Sequence, residues 1–154
     1  MTETIISPYV FEYDKRLALW NELITNNIQN DMTQKTINDI IEWWNNYPVN
    51  TRKQRIYTFN DKPNTVWDIL EKYKISKLEK IFGIYYTIEC LCYYHKLNYD
   101  LSLSEIQKQD GDYDLVIIIN GNIVNDNHVM DGNEIQNCSF LNTMNDKYYF
   151  PQVS

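Results

Sequence analysis

The stretch Tyr113-Asp-Leu-Val-Ile-Ile-Ile-Asn-Gly-Asn-Ile-Val124 decides the fold class of this chain. The residues up to Ile119 are mostly apolar and β-branched, and a run of this length before a turn is typical of a buried strand. Asn120-Gly121 predicts a two-residue type I′ hairpin turn, because both central positions of that turn need a positive φ. Ile123 and Val124 then begin the return strand.

Strand and turn signals continue on both sides of this hairpin. Downstream, Asp131-Gly132 repeats the turn signal, and the apolar groups at 138–141 and 148–150 flank a third turn region. Together these features predict a C-terminal antiparallel β-meander over about 113–150. Upstream, residues 100–109 are predicted to form a short helical turn.

The N-terminal part of the chain has helical periodicity. Apolar residues recur every three to four positions, which predicts amphipathic helices with residues such as Arg16 turned towards solvent. Thr65 and Ser76 are predicted N-caps, and Ser76 with Glu79 forms a capping-box pattern that opens a long central helix. A short strand is predicted at 55–60. The predicted helices span about 13–29, 33–47, 65–73 and 76–97.

Helices followed by strands indicate an α+β fold with the helices packed on one face of the sheet. The chain has 154 residues, a length that suits one ordinary globular domain. We therefore expect a single domain over 1–154, with a helical part at 1–109 and a β-meander part at 110–154.

Charge divides the chain in nearly the same place. Residues 1–97 hold twelve basic and twelve acidic residues, whereas residues 98–154 hold two lysines and nine acids. The whole net charge of −7 therefore belongs to the predicted β half. A surface of that sign opposes direct binding of nucleic acid and attracts a basic protein. We expect a basic protein partner, no direct nucleic-acid contact and no membrane contact.

Residue usage bears on the source and the cellular location. The chain has 19 Asn and 19 Ile against 1 Ala, which is the pattern of an AT-rich genome such as that of a low-GC bacterium, a phage or a large DNA virus. We find neither a membrane-length apolar run nor a signal-peptide pattern, so we expect a cytoplasmic protein of that bacterium or of an infected host cell. Cys90, Cys92 and Cys138 are an odd count and are expected to be free thiols.

Two short motifs resemble reactive sites without completing one. Cys90 and Cys92 point about 200° apart on a helix and would not share a zinc ion. Asp110-Gly-Asp112-Tyr-Asp114 resembles the start of a calcium loop but lacks the later Gly and Glu of that motif. We expect no metal, no cofactor and no catalytic residue. An enzyme that uses Cys92, His95 and His128 stays as an alternative hypothesis.

The interpretation we favour is a small acidic protein-binding protein of the inhibitor, immunity or counter-defence type. It would occlude a basic, nuclease-like or nucleic-acid-binding target without catalysis. Trp43 is a candidate anchor because it points about 100° away from Trp44, which belongs to the predicted core stripe. The alternative is a structural or adaptor subunit of a larger assembly, of viral or other origin. The residues predicted to bind the partner are Asp110, Asp112, Asp114, Asp126, Asp131 and Trp43.

Overall fold

The computed structural model describes residues 12–49, 65–95 and 100–144. The strands expected at 55–60 and 148–150 lie outside the described residues. The helices and strands are α1 (Tyr13–Asn27), α2 (Gln34–Asn45), α3 (Val66–Leu70), α4 (Lys77–His95), β1 (Leu101–Lys108), β2 (Tyr113–Ile119), β3 (Asn122–Val124), α5 (Gly132–Gln136) and β4 (Cys138–Met144). Helices followed by an antiparallel sheet confirm the predicted α+β class. No helix within the described residues is long and apolar enough to cross a membrane.

Local capping chemistry sets where the helices begin. The Thr65 hydroxyl accepts a hydrogen bond from the Asp68 amide at 3.3 Å and opens α3. Ser76 Oγ accepts from the Glu79 amide at 3.1 Å, and Glu79 Oε1 accepts from the Ser76 amide at 2.9 Å. The predicted capping box is therefore confirmed at the start of α4. Each cap satisfies backbone donors that a helix cannot pair internally.

Within the described residues, the sheet has four antiparallel strands in the order β3-β2-β1-β4. Asn120 and Gly121 have φ values of 50° and 83°, and they join the paired residues Ile119 and Asn122. The predicted type I′ turn is confirmed. Strand β4 does not lie beside β3. After β3 the chain forms α5, and β4 then pairs with β1 on the other side of the sheet. Only β1 to β3 form a true meander.

Two local predictions are wrong. Residues 101–108 form strand β1, not a helical turn, so the sheet begins at Leu101 and the helical part of the chain ends before it. The alternation of leucine and serine over 101–104 fits a strand but covers only four residues, and pairing with two neighbouring strands decides the conformation of the whole segment. Asp131-Gly132 opens α5 and not a hairpin, because Asp131 and Glu134 form a capping box.

Helix α4 is the central helix, as predicted. Its residues 81–91 are all buried, and it contacts α1, α2 and α3 on its sides and β2 of the sheet. The side chains that β1 and β2 contribute to this core are those of the odd-numbered residues, among them Leu103, Leu115 and Ile117. The alternation of strand side chains thus places one face of the sheet against the helices.

Thr87 joins three helices at the middle of this core. Its hydroxyl accepts hydrogen bonds from the indole N–H groups of Trp20 in α1 and Trp44 in α2, each at 3.0 Å. It donates its own proton to the Gly83 carbonyl at 2.7 Å. A Cβ atom on Gly83 would lie 2.6–2.8 Å from ring atoms of Trp44, so the indole reaches α4 only because this residue is glycine.

The expectation that Arg16 is turned towards solvent is wrong. Its side chain is buried. Arg16 Nε donates to the Leu70 carbonyl at 2.6 Å, and a terminal nitrogen donates to the Glu71 carbonyl at 2.9 Å. The Tyr47 hydroxyl donates to the neighbouring Lys72 carbonyl. Arg16 and Tyr47 therefore satisfy the carbonyls at the end of α3, a role that the α1 sequence does not reveal.

We predict that Thr87→Val lowers the free energy of unfolding by about 2–6 kcal/mol, because two buried indoles lose this acceptor and each such loss costs roughly 1–3 kcal/mol. The valine keeps the shape of the side chain. Thr87→Ser keeps the hydroxyl and should lose about 1 kcal/mol for the missing methyl group. Urea unfolding measures both variants, and equal losses would contradict the role given to the hydroxyl.

We predict that ionisation of the Cys90 thiol lowers the free energy of unfolding at alkaline pH. Burial raises the pKa of Cys90 from 9.0 to about 12, and the nearby Glu89 adds to the effect. Because the pKa in the folded state lies above that in the unfolded state, the contribution is complete below pH 9.0 and is lost as pH rises towards about 12. Wild type should lose more stability than Cys90→Ala between about pH 8 and 10.5. Equal losses in urea unfolding would contradict this.

Candidate functional site

An open cleft of about 710 Å³ lies where the β1–β2 turn, the loop after β3 and helix α5 meet. The turn is tight, since the Gly111 amide donates to the Lys108 carbonyl at 2.9 Å and Gly111 has a φ of 91°. The cleft combines apolar side chains with charged ones. Its lining residues are Ile106, Lys108, Gln109, Asp110, Asp114, Asn125, His128, Met130, Glu134, Asn137 and Cys138.

A network of ion pairs holds the inner side of this cleft. Asp114 is buried, and its Oδ2 atom lies 3.2 Å from Lys77 Nζ and 3.4 Å from Lys108 Nζ. Asp126 is also buried and lies 3.8 Å from Lys77 Nζ and 3.9 Å from Lys80 Nζ. The network ties the first turn of α4 to β2 and to the loop after β3. It is a structural feature, because a buried carboxylate needs compensating charge.

Lys80 is the most deeply buried cation of this network. Burial lowers the pKa of its ammonium group, and the Asp126 carboxylate acts in the opposite direction. Lys80 Nζ also donates to the Asn127 side-chain carbonyl at 3.3 Å. The loop after β3 is therefore held to α4 by both a charged and a neutral partner.

The outer side of the cleft carries exposed carboxylates. Asp110 and Asp112 lie in the β1–β2 turn, where Asp110 Oδ1 accepts from the Asp112 amide at 2.9 Å. Asp131 is exposed and caps α5. Within residues 12–49, 65–95 and 100–144, none of the three makes an ion pair. These three carboxylates are therefore exposed, with no compensating cation from the part of the chain that the structure describes.

His128 and Glu134 form the third polar element of the cleft. His128 Nε2 lies 2.8 Å from Glu134 Oε2, and the Glu134 Oε1 atom accepts from the Asp131 amide at 3.2 Å. The Cys138 thiol donates to the Glu134 carbonyl at 3.2 Å. Burial raises the pKa of this thiol above its usual value, although Lys108 acts to lower it. Cys138 is thus held as a neutral donor beside α5.

The structure separates the five predicted aspartates into two groups. Asp110, Asp112 and Asp131 are exposed to solvent. Asp114 and Asp126 are buried and form ion pairs with lysines. The lysines come from α4 and β1, so no sequence spacing links them to these aspartates. By contrast, the Asp131–Glu134 cap follows from a local D-x-x-E pattern that could have been read from the sequence.

The remaining predicted residues lie away from the cleft. Trp44 is completely buried and Trp43 is partly exposed, which confirms the phase assigned to α2. The two rings meet edge to face at 5.0 Å. Cys92 packs against the core on α4, whereas His128 lines the cleft. The side chain of His95 lies outside the described part of the structure.

No protein-family model matches this chain, and no curated protein matches its sequence. Among the described residues, no group of three or more His, Cys, Asp or Glu side chains is placed to hold a metal ion. The chemistry of the cleft is therefore inferred from its own residues. Its outer carboxylates are exposed, and its inner carboxylates are paired with lysines.

We predict that Asp114→Asn lowers the free energy of unfolding by about 1–3 kcal/mol, because Lys77 and Lys108 lose a buried, charge-assisted partner. Asp110→Asn keeps the turn acceptor and removes an exposed charge, so it should change stability by less than about 0.5 kcal/mol. Denaturant midpoints measure both. A loss of equal size in the two variants would show that Asp114 is no more structural than Asp110.

Proposed function

We propose that this protein binds a basic protein partner through the acidic outer side of the cleft and acts by occluding that partner, as an inhibitor or immunity-type protein does. The observation that carries the proposal is the set of exposed carboxylates on Asp110, Asp112 and Asp131, which have no ion-pair partner among the described residues. A partner with lysine or arginine side chains would supply the missing charge.

The local charge supports a cationic partner. Residues 100–144 contain eight acidic residues and one lysine, and that lysine, Lys108, already pairs with Asp114. A field of this kind steers a basic surface towards the cleft and speeds its association. The same field repels the phosphate groups of nucleic acids, which favours a protein partner.

The composition of the cleft suits the shape of a lysine or arginine side chain. Such a side chain has an apolar stem and a charged head, and the two prefer different surroundings. Ile106 and Met130 offer apolar contact within the cleft, while Asp110 offers an exposed carboxylate. A basic side chain entering the cleft would therefore find partners for both of its parts.

The test measures association with the partner that co-purifies from the native source. Asp110→Asn together with Asp112→Asn should slow association by about 3–10-fold at low salt, because rim charges act mainly on the association rate. The difference should shrink at high salt, where exposed charges are screened. Stopped-flow or surface-based kinetics at two salt concentrations measure this.

A matched control removes two charges elsewhere. Glu22→Gln together with Glu42→Gln alters two exposed acids on α1 and α2 and changes the net charge by the same amount. It should leave the association rate within about twofold of wild type. If both double variants slow association equally, or if wild-type association does not depend on salt, the proposed binding surface is wrong.

A further inference from the structure

Strand β4 forms one edge of the four-stranded sheet within the described residues. Its residues 139–143 are all exposed, including the side chains of Phe140 and Leu141, which are 42% and 46% exposed. The strand sequence Cys-Ser-Phe-Leu-Asn-Thr-Met contains no charged residue and no proline. An uncharged strip with two exposed apolar side chains therefore borders the most acidic region of the sequence.

Edge strands usually carry features that prevent another strand from pairing with them. Lysine, proline, short length and bulges are the common ones. Strand β4 has seven residues, and its register against β1 shifts between Ser104 and Ile106. That irregularity leaves Cys138, Ser139 and Phe140 in regular pairing. The first half of β4 is thus a regular edge strand with no charged side chain that would oppose pairing with another strand.

We propose that the edge of β4 receives an extended segment of the basic partner, which adds to the sheet as a fifth strand. This inference rests on the proposed function and specifies how the partner is held. Main-chain hydrogen bonds to β4 would provide affinity, and contact with the exposed ring of Phe140 would provide selectivity for apolar residues that alternate along the added strand on the same face.

Charge selects this occupant over a second copy of the same chain. Cys138 begins β4, pairs with Lys108 at the end of β1 and lines the cleft together with Asp110. A segment on β4 therefore starts beside the exposed carboxylates. Two copies paired through β4 would bring their acidic surfaces together, and each copy has a net charge of −7. A lysine- or arginine-bearing strand instead meets charges of opposite sign.

The experiment uses three capped, fluorescently labelled peptides of equal length. One alternates lysine with valine, one alternates lysine with alanine, and one alternates glutamate with valine. The lysine–valine peptide should bind at least about tenfold more tightly than the other two, because it combines positive charge with strand propensity. Fluorescence anisotropy measures the affinities, and hydrogen exchange of the full chain reports on the amides of β4.

Two matched variants locate the site. Phe140→Ser removes an exposed ring from β4, and Tyr94→Ser removes a ring of similar exposure, 50%, from α4. Phe140→Ser should weaken binding of the lysine–valine peptide by about fivefold or more, and Tyr94→Ser should not change it. In wild type the bound peptide should slow exchange of the amides in 139–143 that point away from β1. This pattern would support the inference.

Other outcomes separate the two proposals. If the lysine peptides bind equally well and the β4 amides exchange as before, the acidic surface binds cations without strand addition, and only the present inference fails. If neither lysine peptide binds, the proposed function fails with it. Alternate amides of β4 already pair with β1. Slow exchange in the free monomer of the amides in 139–143 that point away from β1 would show that the chain already covers this edge. Slowing that depends on protein concentration would show that a second copy occupies it. Either result overturns the inference.

Discussion

The hydroxyl group of Thr87 is the point on which the helical layer depends. It accepts protons from two indoles that belong to different helices, so α1 and α2 are held at fixed positions on α4. Gly83, one turn earlier, leaves the space that the Trp44 ring fills. Thr87 and Gly83 lie on the same side of α4. The sheet packs against α4 elsewhere, with Leu103, Leu115 and Ile117 in the shared core.

The same packing divides the acidic residues of the β half by role. Sheet and helix meet with the first turn of α4 against Asp114 and Asp126, where burial demands compensating lysines. The turn residues Asp110 and Asp112 project beyond this contact and stay in solvent, where hydration makes an unpaired charge tolerable. One short segment thus carries both buried, lysine-paired carboxylates and exposed ones. The uncharged edge of β4 borders the second group.

Periodicity predicted the elements whose conformation is settled by near neighbours. The type I′ turn at Asn120-Gly121 and the capping box at Ser76 depend on interactions within a few residues, and both were found where expected. Strand β1 and the burial of Arg16 were not predicted. The conformation of β1 depends on partners in β2 and β4, and Arg16 binds carbonyls 54 and 55 residues away. The short alternation at 101–104 is a local sign of β1 that was not used, whereas no local pattern identifies the distant carbonyls that Arg16 binds.

The amino-acid sequence by itself determined the α+β class, the central position of α4, the core location of Trp44 and the acidic character of the second half. These properties follow from side-chain periodicity and composition, which are local or additive. Only the tertiary structure decided which aspartates are exposed, which strand forms the edge and where the cleft lies. Those properties depend on which distant groups meet, because a carboxylate is structural when folding places a lysine beside it and is available for binding when folding leaves it in water.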